Sequence, residues 1–403
     1  MIDDGQQLDL EAAPFRATRS KRRTATWLLL ISGGLPMVAT LLGFLGLIWW
    51  PFELLANYRF QYAFILTGVI LAAMMSKRWI WATLLCLPLA LNLALIVPLY
   101  LPTDLQLQTQ TTLPKPIAKK NQPPANNHSP DSHILKHDDS QRITINGQLW
   151  RTTDEPLLIM NLNMNVAERG SEHVMQLINE GGADLILAHS VTQATLKQLT
   201  MYGTPYRIHS ILPRDDEAGM ALLARVSLPP KIRITHTAIL DLANSTLEAP
   251  AIEATLQWLD RPIHLLLVHL TNPWSSRAAK THNQQIKNIV QWVNKQAHPV
   301  IVMGNFSATP WAAHFSDLLR KTGLINSQVG FGIQPTWPAN GGFPLGEIPV
   351  DHCLHSESLV TVERGLGPTN GADHRPLILK LTWSDPHPYP PQTQPKPTAK
   401  KTQ

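Results

Sequence analysis

Charge is scarce in this chain: 16% of its 403 residues are Asp, Glu, Lys or Arg, against roughly a quarter in an ordinary soluble domain. The shortage is local, because residues 26–50, 60–75 and 79–101 contain no charged side chain at all. Cysteine is almost missing. Cys86 falls inside the third uncharged stretch and Cys353 far from it, which excludes a stabilising disulfide framework and leaves the compartment unread from cysteine. The formal charge is +5 without any long basic stripe, so nucleic acid is not a favoured partner. No internal repeat is present.

The uncharged stretches are what the chain has in place of charge. Residues 26–50 are long enough to cross a bilayer, and, ending in Trp49 and Trp50 with further apolar runs behind, they do not read as a cleaved signal peptide. Residues 60–75 and 79–101 supply a second and third span, with Trp79, Trp81 and Tyr100 as interface anchors. Arg16, Arg19, Lys21, Arg22 and Arg23 precede the first span, and Lys77 and Arg78 separate the second from the third. Basic ends stay cytoplasmic, so three spans deliver everything after Leu101 to the extracytoplasmic side of an inner membrane. Gly33, Gly34, Gly43 and Gly46 are candidates for close helix packing.

The expected organisation is a basic cytoplasmic N-terminus at 1–25, three transmembrane helices at 26–101, and a disordered Gln/Pro/Asn-rich linker at 102–152. One soluble domain follows at 153–383, then a disordered Pro-rich tail at 384–403. His128, His133 and His137 are irregularly spaced in the linker and read as solvated residues rather than a metal tract. A tether of that length gives the domain wide reach from the membrane.

Within the domain, strand-like runs occur at 157–160, 184–188, 220–224, 264–268, 350–354 and 376–381. Val174, Leu177 and Ile178, and again Ile286, Ile289, Val290 and Val293, show helical spacing. The stretch 299–311, PVIVMGNFSATPW, organises the rest. Its apolar run reads as a strand buried on both faces and ended by Gly304, and Thr309 with Pro310 reads as an N-cap and first turn of a helix. Mixed strands and helices predict a layered α/β or α+β domain, with chemistry at the strand ends. Polar residues recur there: Asn163, His269, Asn305 and Ser307, Asp351 and His352, and Asp373, His374 and Arg375.

In this order, Asn163, AHS at 188–190, GMALLA at 219–224, VHL at 268–270, GNFS at 304–307, VDH at 350–352 and ADH at 372–374 resemble the endonuclease/exonuclease/phosphatase superfamily. The ATPW at 308–311, the PTWP at 335–338 and the three preceding spans resemble a bacterial membrane-anchored subgroup of it. The resemblance implies a four-layered α/β sandwich of the deoxyribonuclease-like type that hydrolyses phosphoesters with Mg²⁺ or Mn²⁺. It implies metal binding at Asn163, at Ser190 and at Asp373, and catalytic positions at His269, Asn305, Ser307, Asp351 and His374.

Three of these positions depart from the family pattern: Ser190 stands where the metal-binding Glu is expected, Asn305 where the water-activating Asp is expected, and Ser307 where an Asn is expected. One carboxylate, Asp373, remains for a hard cation that prefers oxygen anions. His189 is expected to point away from the site, on the face opposite Ser190. An Asn side chain cannot take a proton, and a positioned base contributes on the order of 10²–10⁴ in rate. The reading is therefore an impaired phosphoester hydrolase or, alternatively, an inactive module that binds a phosphate-containing ligand, a lipid headgroup or a protein on the extracytoplasmic membrane face.

Overall fold

The computed structural model describes residues 27, 29–103, 106, 142–145, 148–151, 156–164, 171–201, 204–226, 232–244, 248–339, 346–369 and 371–384. The basic N-terminus, the linker histidines and the Pro-rich tail lie outside the described residues.

Alternation of side chains along the strands builds the C-terminal domain. Strand β3 (Leu157–Asn163) sends Leu157 and Ile159 to one core and Met160 and Leu162 to another. Strand β4 (Leu185–His189) does the same with Leu185 and Leu187 against Ile186 and Ala188. Strand β10 (Val300–Asn305) divides Ile301 and Met303 from Val300 and Val302. A strand buried on both faces reads as a continuous apolar run, which is why these segments were legible in sequence.

Two six-stranded mixed sheets result. One has the order β13 (Leu359–Leu366), β14 (Leu377–Trp383), β3, β4, β6 (Met220–Arg225), β5 (Tyr206–Leu212). The other runs β11 (Ile325–Asn326), β12 (Asp351–His355), β10, β9 (Arg261–His269), β8 (Pro250–Trp258), β7 (Ile232–Asp241). One core, with Leu157, Leu185 and Leu222 from the first sheet and Ile252, Leu265 and Ile301 from the second, lies between them. Helices α5 (Ser171–Glu180) and α6 (Gln193–Met201) cover the outer face of the first sheet through Val174, Ile178 and Leu199. Helices α7 (Ser276–Lys295) and α8 (Ala313–Thr322) cover the second through Ile286, Ile289 and Phe315. The layers are helix, sheet, sheet, helix, the expected α/β sandwich.

Three local expectations need correction. Gly304 does not end β10 but lies inside it at φ +144°, where a Cβ would sit 1.9 Å from the Val268 carbonyl oxygen and 2.9 Å from the His189 ring. The helix expected from Pro310 begins only at Ala313, without a side-chain cap. The Thr309 hydroxyl, its expected cap, instead donates to Asn57 Oδ1 at 3.0 Å. Within the stretch read as linker, β1 (Arg142–Ile145) pairs antiparallel with β2 (Gln148–Arg151); the intervening Asn146-Gly147 is a strong short-hairpin signal in the sequence.

The N-terminal helical unit consists of α1 (Leu29–Leu45), α2 (Trp50–Ala56), α3 (Arg59–Met75) and α4 (Trp79–Ile96), the last continuing as a 3₁₀ turn, Val97–Tyr100. Among the described residues one helix, Trp79–Tyr100, is long and apolar enough to cross a membrane; α2 and α3 pass the same test only together, across a 61° bend. Leu66, Val69, Ala73 and Leu85 form their shared core. Gly33 admits α4 closely, since a Cβ there would meet Leu85 at 2.8 Å.

This unit is fastened to the sandwich. Glu53 on α2 accepts from the backbone N–H of His314 at 2.9 Å and contacts its ring. Asn57 accepts from both the backbone and the hydroxyl of Thr309. Gln61 on α3 donates to the Glu347 carbonyl at 3.3 Å, and the Leu99 carbonyl accepts from the backbones of Gly330 and Gly332. Trp311 packs with Ala63, Ile96 and Leu99.

Candidate active site at the polar end of the inter-sheet core

The strand alternation that fills the inter-sheet core also positions the polar residues. On β3 the inward series Leu157, Ile159 continues as Asn161 and Asn163; on β4, Leu185 and Leu187 lead to His189; on β9, Leu265 and Leu267 lead to His269; on β10, Ile301 and Met303 lead to Asn305. Strand register aligns them. Asn305 lies opposite His269 on one side and Asp351 on the other, and Asn163 opposite His189. One end of an apolar sandwich thus becomes polar.

A chain of hydrogen bonds runs through this end. His374 Nδ1 meets Asp351 Oδ2 at 2.7 Å, Asn161 donates to Asp351 Oδ1 at 3.1 Å, and Asn161 Oδ1 lies 2.6 Å from His189 Nε2. Asp351 is 2% exposed, so its charge stands on these partners and on the Thr336 hydroxyl. Burial opposes ionisation, but the His374 charge and hydrogen bond outweigh it and hold Asp351 down at about 2. Burial likewise works against the His374 cation, and Asp351 overcomes it, so His374 is raised above its ordinary value. Burial, with the neighbouring histidines adding to it, drives His189 down to about 3 and His269 down to about 4. At neutral pH the site therefore holds two uncharged imidazoles, packed edge-to-face at 5.5 Å.

Asn305 closes its own loop. Its Oδ1 accepts from the Ser307 backbone at 2.8 Å, and its Nδ2 lies 3.3 Å from His269 Nε2, where a neutral His269 accepts. Ser307 sits at φ +50° and donates its hydroxyl to the Leu270 carbonyl at 2.9 Å. No group in this turn can take a proton from water with the strength of a carboxylate.

A cleft of about 640 Å³ opens above these residues. Of the sequence candidates, Asn163, His269, Asn305, Ser307, Asp373 and His374 line it, and Asp351 stands behind His374. Ser190 does not line it: at φ +56° its hydroxyl turns to the Glu217 carbonyl. His189 was expected to face away, yet it shares the inward parity of Leu185 and Leu187 and joins the Asn161 chain. Sequence reasoning left Asp216 and Glu217 unplaced and missed Glu248 on the cleft wall, with Trp274, Trp337 and Tyr58 beside them. Asn161 was signalled by its two-residue spacing from Asn163; the loop carboxylates carry no such signal.

The expected metal set does not fit Mg²⁺ or Mn²⁺. Asp373 is its single carboxylate, Asn163 adds an amide, and the Ser190 hydroxyl is directed elsewhere. Among the described residues no three His, Cys, Asp or Glu side chains converge as a metal centre.

A family model described as "Endonuclease/Exonuclease/phosphatase family" matches residues 160–385. No curated protein sequence matches the chain. Among solved structures, D. rerio TDP2 complexed with single-strand DNA product is 13% identical, with a TM-score of 0.48, over 57% of this chain and 100% of that one. A functionally unknown conserved protein of Enterococcus faecalis is 18% identical, TM-score 0.47, over 56% and 99%. The human Nocturnin catalytic domain with bound sulfate is 16% identical, TM-score 0.45, over 57% and 94%.

Proposed function

Because this chain belongs to the endonuclease/exonuclease/phosphatase family, we propose that its cleft binds a phosphate-bearing ligand and that hydrolysis there is impaired or lost. The observation that carries this is Asn305: an amide, held by Ser307 and His269, occupies the end of β10 where the family pattern calls for a proton-accepting carboxylate. What remains suits binding. His374, whose protonated form Asp351 favours, and the Asn163 amide line the cleft as donors to a phosphoryl oxygen. Metal-dependent hydrolysis is the second reading, favoured by the family match and by the Asp351–His374 pair.

The proposal includes anchoring by three spans in an inner membrane, with the domain on the extracytoplasmic face. The Trp79–Tyr100 helix supports it, as do the joined α2–α3 pair and the apolar α1. Lys77 and Arg78 lie in the α3–α4 turn, at the far end of those helices from the sandwich contacts of Gln61 and Leu99.

The test is hydrolysis of bis(p-nitrophenyl) phosphate by the full chain with Mg²⁺ or Mn²⁺, beside the triple variant Ser190→Glu, Asn305→Asp, Ser307→Asn. Turnover by the variant alone supports the proposal. Turnover by the natural chain that EDTA abolishes overturns it in favour of the second reading.

A further inference from the structure

Three cleft-lining residues, Leu54, Asn57 and Tyr58, come from the helical unit rather than the sandwich. They sit at the α2–α3 corner, and that corner is clamped to the loop that carries the site: Asn57 binds Thr309, four residues beyond Asn305. Glu53 and Asn57 are buried in this contact, 6% and 7% exposed. The site is therefore held against the helices rather than swinging freely on its tether. Trp49 packs edge-to-face on Phe52 at 5.0 Å beside α2 and Tyr100 closes α4, aromatic residues of the kind found at a membrane–water interface.

The lining has a second character. Besides the His374 and Asn163 donors it carries Glu217, Glu248 and Asp373, with the rings of Tyr58, Trp274 and Trp337. Carboxylates repel an anionic headgroup, whereas carboxylates and aromatic faces together favour an organic cation. Resting on the phosphate-binding reading above, we infer that the ligand is the phosphodiester headgroup of an amine-bearing membrane phospholipid, which enters the cleft past the α2–α3 corner from the bilayer surface.

The test places the photocrosslinker benzoylphenylalanine at Trp274, an exposed position on the cleft wall. The full chain is reconstituted in vesicles of phosphatidylethanolamine and phosphatidylglycerol, and adducts are read by mass spectrometry. A matched probe at Trp79, exposed on α4, reports ordinary lipid contact. The expected result is a phosphatidylethanolamine adduct at 274 that falls about tenfold, a 1.4 kcal/mol effect, in Ala218→Trp, which fills the cleft from its rim. Excess soluble glycerophosphoethanolamine should reduce it likewise, a readout that does not depend on a variant folding. Adducts at 274 in proportion to vesicle composition, or indifferent to both treatments, overturn the inference. In detergent without vesicle lipid, glycerophosphoethanolamine alone is the probe. An adduct with it but none with lipid overturns the membrane source and leaves phosphodiester binding standing. No adduct with either overturns both.

Discussion

Asp351→Asn is the most informative single perturbation of the site. The substitution keeps the shape of a side chain that is 2% exposed while removing the charge 2.7 Å from His374 Nδ1. The native pair acts on both titrations: Asp351 falls from 3.8 to about 2, and His374 rises above 6.5. A depressed carboxylate stabilises the fold above its unfolded value and loses that contribution as pH falls through its folded value; a raised histidine stabilises below its unfolded value and loses it as pH rises through the folded one. The pair's contribution is thus full between 3.8 and 6.5 and declines on both sides. A carboxylate shift of that size corresponds to about 2–3 kcal/mol. In Asp351→Asn, burial acts on His374 without its principal counter-charge, with only Asp373 and Glu217 left to oppose it, so its titration moves down. The assay is histidine-selective NMR of the full chain in detergent, the His374 signal identified by its loss in His374→Gln, alongside denaturation across pH. A His374 midpoint that does not fall in the variant, or a stability loss that does not vary with pH, refutes the reasoning.

Gly304→Ala should cost more than about 3 kcal/mol, read as a lowered melting temperature, because the new Cβ meets the Val268 carbonyl at 1.9 Å. The His189 and His269 ring signals should not titrate between pH 5.5 and 8, since burial holds them at about 3 and about 4; a midpoint in that window contradicts the neutral-imidazole site. Asn57→Ala should loosen the helical unit from the sandwich, leaving the Thr309 backbone N–H without its acceptor; hydrogen exchange at 309–313 should quicken while β10 stays protected.

The two-faced strands β3, β4, β9 and β10 were legible because a segment buried on both sides has no polar alternative, and their uncharged runs say so directly. The strand-end candidates followed, since a polar residue closing such a run has few places to go. Local detail failed where a partner distant in sequence decided it. Thr309 and Pro310 have the chemistry of a helix start, but Asn57, far earlier in the chain, takes the hydroxyl and the helix begins at Ala313. His189 was assigned to the wrong face because Ser190 was taken as the inward residue; the left-handed backbone at Ser190 turns it out of the strand's alternation.

The same error bears on the chemistry. Counting only strand ends, the site carries Ser190 and Asn305 where the family resemblance implies carboxylates, and reads as less acidic. The cleft itself is not neutral: Asp216 and Glu217, from the loop before β6, and Glu248, from the loop before β8, bring acidity back to its wall. Asp216 is committed to Arg214 at 2.5 Å. On the proposed reading, the rim carboxylates select what enters, whereas Asn305 puts no proton acceptor at the floor, where a base would have to be fixed to within a fraction of an ångström. Catalysis depends on floor geometry and is expected to fail with it; recognition of a cationic group tolerates longer distances and exposed carboxylates. That separation makes binding without turnover the coherent reading of this cleft, and it gives a clear order to its variants: Glu217→Gln and Glu248→Gln should alter which headgroup is held, whereas restoring Asp at Asn305 should alter whether anything is cleaved.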